Sequence, residues 1–146
     1  MSTIRAFLLR NTYLRLLICP HPIEKRTPEI WKQTKAFYSD YFAGVNVLFP
    51  EDASKSSYQL FDCAEVSVAS ISSVNIERLF CGYKTLYAPI GADVVFFGGS
   101  SLDKIVARTA EELLQLLEQS FRMNEEQFFQ AFDLRDYHHD QYAEFL

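Results

Sequence analysis

The sequence predicts a small α+β domain with helices around a β-sheet that runs from about residue 45 to residue 107. Its 146 residues are near the commonest size for one domain. Helical periodicity is strongest near residue 35 and beyond residue 109, while β-branched and aromatic residues with turn signals fill the middle. We expect a single globular domain over residues 1–146, with an antiparallel or mixed sheet.

The stretch before Pro20 is ambiguous in its period. Leu and Arg residues favour a helix from about Thr3 to Ile18, and a strand near Tyr13–Ile18 is the competing interpretation. Arginines at every fifth position interrupt the apolar runs, so the stretch fits neither a signal peptide nor a membrane span. We therefore expect a structural segment and no contact with a membrane.

The first well-marked helix is predicted over residues 28–43. Thr27 can act as its N-cap, and Pro28 suits the first helical position. The apolar stripe that follows is rich in aromatic residues, including Trp31, Tyr38 and Tyr41. Such a stripe can pack on the core or form an interface, and the sequence leaves both interpretations open.

The middle of the chain has the composition of strands. β-branched, aromatic and small residues recur there, separated by a loop at 50–57 and turns at Gly82 and Gly98. The apolar run Val94–Phe97 is typical of a central strand that is buried on both faces. The predicted strands are Val45–Phe49, the pattern from Tyr58 to Ile76, Lys84–Ala88, Val94–Phe97 and Lys104–Ala107.

Two helices are predicted at the C-terminal end, over residues 109–122 and 124–133. Thr109 with Glu112 and Asn124 with Gln127 both have the spacing of a capping box. The last stretch, from Asp136 to Leu146, is acidic and aromatic, and it could be a short helix or a tail.

The C-terminal region is strongly acidic. Residues 111–146 hold nine acidic and two basic residues, which excludes the basic stripe that nucleic-acid binding requires. Carboxylates alternating with aromatic rings favour binding of a basic protein. The alternative is a helical hairpin whose Phe face covers the sheet while its acids face water. The candidate partner-binding residues are Glu125, Glu126, Asp133, Asp136, Tyr137, Asp140, Tyr142 and Glu144.

The candidate motifs for a phosphate-binding loop and for a metal site do not have the residue spacing that these sites require. Gly98–Ser101 lacks the lysine position of a phosphate-binding loop, and the adjacent pair His138-His139 would point apart on a helix. Three cysteines, without a C-x-x-C pair, are expected to be reduced and mostly buried thiols in the cytoplasm. We therefore expect a non-enzymatic protein without a metal or cofactor.

Residues 87–117 resemble the closing half of SUKH-superfamily domains. The resemblance rests on Tyr87–Gly91, the buried run Val94–Phe97, the strand-like Lys104–Ala107 and the helix from Thr109 to Leu117. The start of that helix, Thr109–Leu114, is similar to the family's "S-F-x-E-F-L" pattern. The resemblance implies an α+β domain that binds and blocks a polymorphic toxin, commonly a nuclease, and it carries over no catalytic residues.

The leading hypothesis is therefore a protein-binding module, most concretely a toxin-neutralising immunity protein. An adaptor, chaperone or homo-oligomeric scaffold that uses the Trp31, Tyr38 and Tyr41 stripe is the alternative, and a homodimer is compatible with both. A small-ligand binder or enzyme with a pocket near Gly98–Ser101 is the third hypothesis.

Overall fold

Helices and short strands alternate along the chain in the computed structural model, which describes residues 1–51, 56–92 and 97–138. The α+β class predicted from the sequence is confirmed. The chain divides into two compact units, Met1–Ser57 and Tyr58–Leu146, and the single domain stays a prediction. The α-helices are α1 Ser2–Arg10, α2 Pro28–Tyr41, α3 Ser73–Phe80, α4 Ala110–Phe121 and α5 Glu125–Ala131; the strands are β1 Leu16–Leu17, β2 Val47–Leu48, β3 Val66–Ala69 and β4 Lys84–Tyr87.

The N-terminal stretch contains both of the elements that its ambiguous pattern suggested. Helix α1 ends at Arg10 and is followed by its C-cap Asn11, whose side-chain amide donates a hydrogen bond of 2.8 Å to the carbonyl oxygen of Phe7. Strand β1 then pairs with β2 in a parallel ladder that aligns Leu16 with Val47. The prediction of a strand within Val45–Phe49 is confirmed as β2.

Helix α2 confirms the predicted start of the helix and ends two residues before the predicted limit. The Oγ1 atom of Thr27 accepts a hydrogen bond of 3.3 Å from the Ile30 amide, and Pro28 is the first helical residue. Trp31 is the buried residue of this helix, and its ring packs edge-on against Phe49 with centroids 5.7 Å apart. Trp31 thus belongs to the core of the first unit.

The second unit is built on parallel strands, so the prediction of an antiparallel or mixed sheet is wrong for the described strands. Val66 of β3 aligns with Lys84 of β4, and the ladder continues to Ala69 and Tyr87. Helix α3 connects the two strands, and a crossover of this kind makes its flanking strands parallel. The sequence prediction missed α3 because Val74 and Ile76 suggested a strand.

Two further strand predictions are wrong. Residues Tyr58–Cys63 form a 3₁₀ helix instead of the start of a strand. Residues Ser101–Ile105 also form a 3₁₀ helix, and only Val106 keeps a bridge, to Tyr87 of β4. The predicted central strand Val94–Phe97 lies, apart from Phe97, outside the described residues.

Polar side chains hold α3 onto the parallel strands. The buried Arg78 guanidinium donates hydrogen bonds to the carbonyl oxygens of Ala64 and Lys84. The Asn75 side chain accepts from Ser67 Oγ at 2.8 Å and donates to the Leu86 carbonyl oxygen at 3.0 Å. Buried polar groups are stable only when they are hydrogen-bonded in this way. These residues therefore serve the fold.

Both C-terminal helices begin one residue after the predicted limit, directly after the predicted N-cap residue, and they end one residue (α4) and two residues (α5) before it. The capping boxes at Thr109 with Glu112 and at Asn124 with Gln127 are confirmed. Helix α4 contacts β3, and α5 contacts β4. Their apolar faces are buried, and the buried side chains are Leu113, Leu116, Leu117, Phe128 and Phe129.

Candidate functional site

Exposed carboxylates line the outer side of the two C-terminal helices. Glu111 and Glu118 are exposed on α4, and their spacing of seven residues places them on one face, two turns apart. Glu125 and Glu126 are exposed in the first turn of α5. Their negative charges also suit the positive end of the helix dipole, so they stabilise the helix as well as charge the surface.

The phenylalanines between these acids are not part of the surface. Phe128 is fully buried, and Phe129 and Phe132 are 4% and 8% exposed. The structure therefore agrees with the alternative in which the Phe face of α5 covers the sheet and its acids face water. The expectation of an aromatic surface is wrong for Phe128, Phe129 and Phe132, because their rings contribute to the core.

Asp133, which follows α5, connects the end of this helix to Ser101 and Lys104. It adopts a left-handed backbone conformation with φ of 59°. Its Oδ2 accepts a hydrogen bond from Ser101 Oγ at 3.1 Å and lies 3.4 Å from Lys104 Nζ. The Ser101 hydrogen bond and the Lys104 charge lower the pKa of this carboxyl group. Its charge is thus already balanced, which makes Asp133 a weaker partner-binding candidate than its exposure suggests.

Asp136 and Tyr137 lie in a short 3₁₀ helix, Arg135–Tyr137. Asp136 is exposed, whereas Tyr137 is half-buried and its ring stacks on Phe80 with centroids 6.5 Å apart. Of the predicted site residues, Asp140, Tyr142 and Glu144 lie outside the described residues.

The basic residues of the second unit do little to neutralise its acidic surface. Residues 58–146 hold fourteen acidic and six basic side chains, whereas residues 1–57 hold five acidic and eight basic ones. Arg78 and Lys84 are buried among main-chain carbonyl groups. Lys104 is paired with Asp133, and Arg108 with Asp103. Among the described residues of this unit, the remaining basic side chains are Arg122 and Arg135.

Sequence reasoning missed part of this surface. Glu111 and Glu118 are not among the partner-binding residues that were predicted from the sequence. The signal was present in the helical period, because residues 111, 115 and 118 are exposed and share one face of α4.

Hydrogen bonds to carboxylates are the main cause of the raised pKa values of Tyr58 and Tyr83. Tyr83 donates to Asp62, which raises the pKa of Tyr83 to about 12. Tyr58 donates to Glu77, and this bond raises the pKa of Tyr58. Burial raises the pKa of the Cys81 thiol, and a raised pKa disfavours the reactive thiolate.

The other two cysteines differ from expectation. Cys19 and Cys63 are exposed, so the prediction of mostly buried thiols is wrong for both. Within residues 1–51, 56–92 and 97–138, no group of three His, Cys, Asp or Glu side chains could hold a metal ion.

The glycine-rich segment at 98–101 forms a turn. The amide and hydroxyl groups of Ser100 donate to the Phe97 carbonyl oxygen at 3.0 Å and 2.8 Å, and Gly99 has a positive φ of 80°. Left-handed backbone explains the glycine at this position. His138 packs near Phe129 with ring centroids 5.6 Å apart, while His139 lies outside the described residues.

No helix in the described part of the chain is long and apolar enough to cross a membrane. Comparison with protein-family models, with curated proteins and with solved structures found no match. The resemblance of residues 87–117 to the SUKH superfamily therefore stays a prediction.

Proposed function

We propose that this chain is a non-catalytic protein-binding module whose acidic C-terminal surface binds a basic protein. Its most concrete form is a cytoplasmic immunity protein that occludes the nucleic-acid-binding site of a nuclease toxin. The excess of exposed carboxylates on α4 and α5, beside few exposed basic groups, is the observation that carries the proposal.

In this proposal the acidic surface attracts a basic partner electrostatically and covers the partner's active site. Glu118, Glu125 and Glu126 present negative charge from rigid helices, which attracts a positively charged partner and accelerates its association. A nuclease binds phosphates through Lys and Arg, so its active face has the complementary sign. Carboxylates bound at that face would exclude the substrate, and inhibition would be stoichiometric.

The burial of the α5 phenylalanines changes where binding energy would come from. With Phe128 and Phe129 in the core, the described acidic surface offers charge and hydrogen-bond acceptors but few rings. Binding should therefore be fast and strongly salt-dependent, because exposed charges are screened by salt. An interface based on aromatic anchors would be much less sensitive to salt.

Affinity capture from native lysate tests the proposal. The wild-type chain and the triple variant Glu118→Gln, Glu125→Gln and Glu126→Gln serve as baits, washed at low and at high salt. A control carries Glu29→Gln and Glu51→Gln, which removes two exposed acids from the first unit. A captured protein is then assayed for nuclease activity with increasing amounts of the wild-type chain.

We expect one basic protein that elutes with salt, that the control still captures and that the acidic-surface variant loses. The nuclease activity of this protein should be fully inhibited once about one wild-type chain is present for each nuclease molecule. If the baits recover nothing, or if the acidic-surface variant captures the partner as well as the control does, the proposal fails for that lysate.

A homo-oligomeric scaffold or adaptor is the second candidate, because α2 exposes an aromatic cluster. The Phe37 side chain is 55% exposed, and its ring lies 5.2 Å from Tyr38 and 6.3 Å from Tyr41 between centroids. Trp31 is buried, and Tyr38 hydroxyl donates to Glu24 at 3.4 Å, so the stripe predicted from the sequence is only partly available.

A further inference from the structure

The outer face of α2 carries an arrangement of charges that is complementary to itself. Five of its residues, at positions 29, 32, 33, 36 and 40, are exposed and recur at helical spacing, so they form one continuous stripe. The small Ala36 stands at its centre. Lys32 lies four residues before Ala36, and Asp40 lies four residues after it.

We propose that α2 is a dimerisation helix that pairs antiparallel with α2 of a second copy, with the twofold axis beside Ala36. A twofold axis at that point brings Lys32 of each copy level with Asp40 of the other, about 6 Å along the helix from the axis. Two identical ion pairs would form. In this isologous contact, Ala36 meets Ala36 of the second copy, and Lys32 meets Asp40 on either side of the axis.

Ala36 and Phe37 supply the apolar part of this contact. A small residue on the axis lets two helices approach to about 8 Å between their axes, the near end of the usual range. Phe37 lies one residue from the axis and is 55% exposed. The twofold operation places both Phe37 rings on the same flank of the helix pair, where they can cover each other.

A second copy fits this stripe better than a partner of one charge sign. A basic protein would face Lys32, and an acidic one would face Asp40, whereas a second copy matches both. Neither side chain has a salt bridge within the residues that the structure describes.

The first unit also has a thin core. Its buried apolar side chains, apart from proline, are Phe7, Leu8, Trp31 and Phe42, whereas its exposed large ones are Met1, Leu9, Tyr13, Ile23, Phe37 and Leu48. Burial of Phe37 on dimerisation would reduce that exposure. The inference rests on the second candidate function, self-association through α2, and it is independent of the acidic surface, which lies in the other unit.

Charge reversal in the full chain tests the pairing by sedimentation velocity at concentrations of about 10 to 500 µM. Lys32→Asp alone and Asp40→Lys alone should each weaken self-association at least about tenfold, since each opposes like charges. An equimolar mixture of the two variants should recover a heterodimer, and the double variant should recover the homodimer. Arg15→Asp and Glu51→Lys, which make the same charge changes elsewhere in the unit, should leave self-association unchanged.

Ala36→Arg provides a second, steric test. Position 36 is exposed and Arg is a good helix former, so the fold should persist while the large side chain keeps the helices apart. A chain that stays monomeric over the whole concentration range would overturn the proposal. Dimers of Ala36→Arg as strong as those of the wild type, or single variants that fail to complement each other, would also overturn it.

Discussion

Replacement of Lys84 by Met should destabilise the second unit substantially. The Lys84 side chain is 1% exposed, and its Nζ donates to Glu65 Oε1 at 2.9 Å and to the carbonyl oxygens of Ser120 and Met123 at 2.9 Å and 2.6 Å. Ser120 lies in the last turn of α4, where carbonyl oxygens lack partners within the helix, and Met123 lies two residues beyond the helix end. Lys84 thus ties β4 to the end of α4.

The size of the effect follows from these partners. Each buried carbonyl group left without a donor costs about 1 to 3 kcal/mol. Glu65 adds little, because its side chain is 53% exposed and stays hydrated, and exposed ion pairs contribute at most about 1 kcal/mol. Met fills nearly the same space and removes the cost of burying an ammonium group. We therefore expect a loss of about 2 to 4 kcal/mol in the free energy of unfolding.

Urea denaturation, followed by circular dichroism, measures this loss. The control is Glu65→Gln, which keeps the shape and a hydrogen-bond acceptor but removes the charge. We expect it to lose less than about 1 kcal/mol. Equal losses for the two variants, or a change below about 0.5 kcal/mol for Lys84→Met, would refute the view that the α4 carbonyl groups depend on Lys84.

Two further predictions concern a tyrosine and a pair of glycines. The Asp62 hydrogen bond raises the pKa of Tyr83 from 10.0 to about 12, so its contribution to stability is complete below about pH 10 and is lost as the pH rises through 12. In Asp62→Asn, an alkaline absorbance titration should show one tyrosine ionising closer to pH 10, and an unchanged titration would contradict this. Gly82 and Gly91 have φ of 89° and 81°, so alanine should cost about 1 to 2 kcal/mol at either position. Gly82→Ala should cost more, because its Cβ would lie 2.9 Å from His138 Nε2 while that of Gly91 meets nothing within 4 Å; equal losses in urea denaturation would be inconsistent with the His138 contact.

The helices that could be predicted from the sequence are those with chemical start signals. Thr27, and the pairs Thr109 with Glu112 and Asn124 with Gln127, satisfy main-chain amides at a helix start, and these local hydrogen bonds do not depend on the rest of the fold. Pro28 suits the first helical position because it has no amide hydrogen to satisfy. Helix α3 lacks such a signal. Its N-cap residue Ser72 makes no side-chain capping hydrogen bond, and its β-branched residues favour a strand.

The acidic surface could be predicted only in part, because charge is visible in the sequence but burial is not. The pattern of Phe128, Phe129 and Phe132 among acids is the same for a binding surface and for a helix that covers a sheet. Packing of α5 against β4 decides between them. The burial of Arg78 and Lys84 could not be predicted from the sequence either, because charged side chains are usually exposed.

The most direct test of the binding hypothesis is the association rate of the captured basic partner, measured at several salt concentrations for the wild type and the Glu118, Glu125 and Glu126 triple variant. We expect the variant to associate about tenfold or more slowly at low salt, and the two rates to converge at high salt, with smaller changes in dissociation. Equal association rates at low salt would contradict the proposed role of the acidic surface.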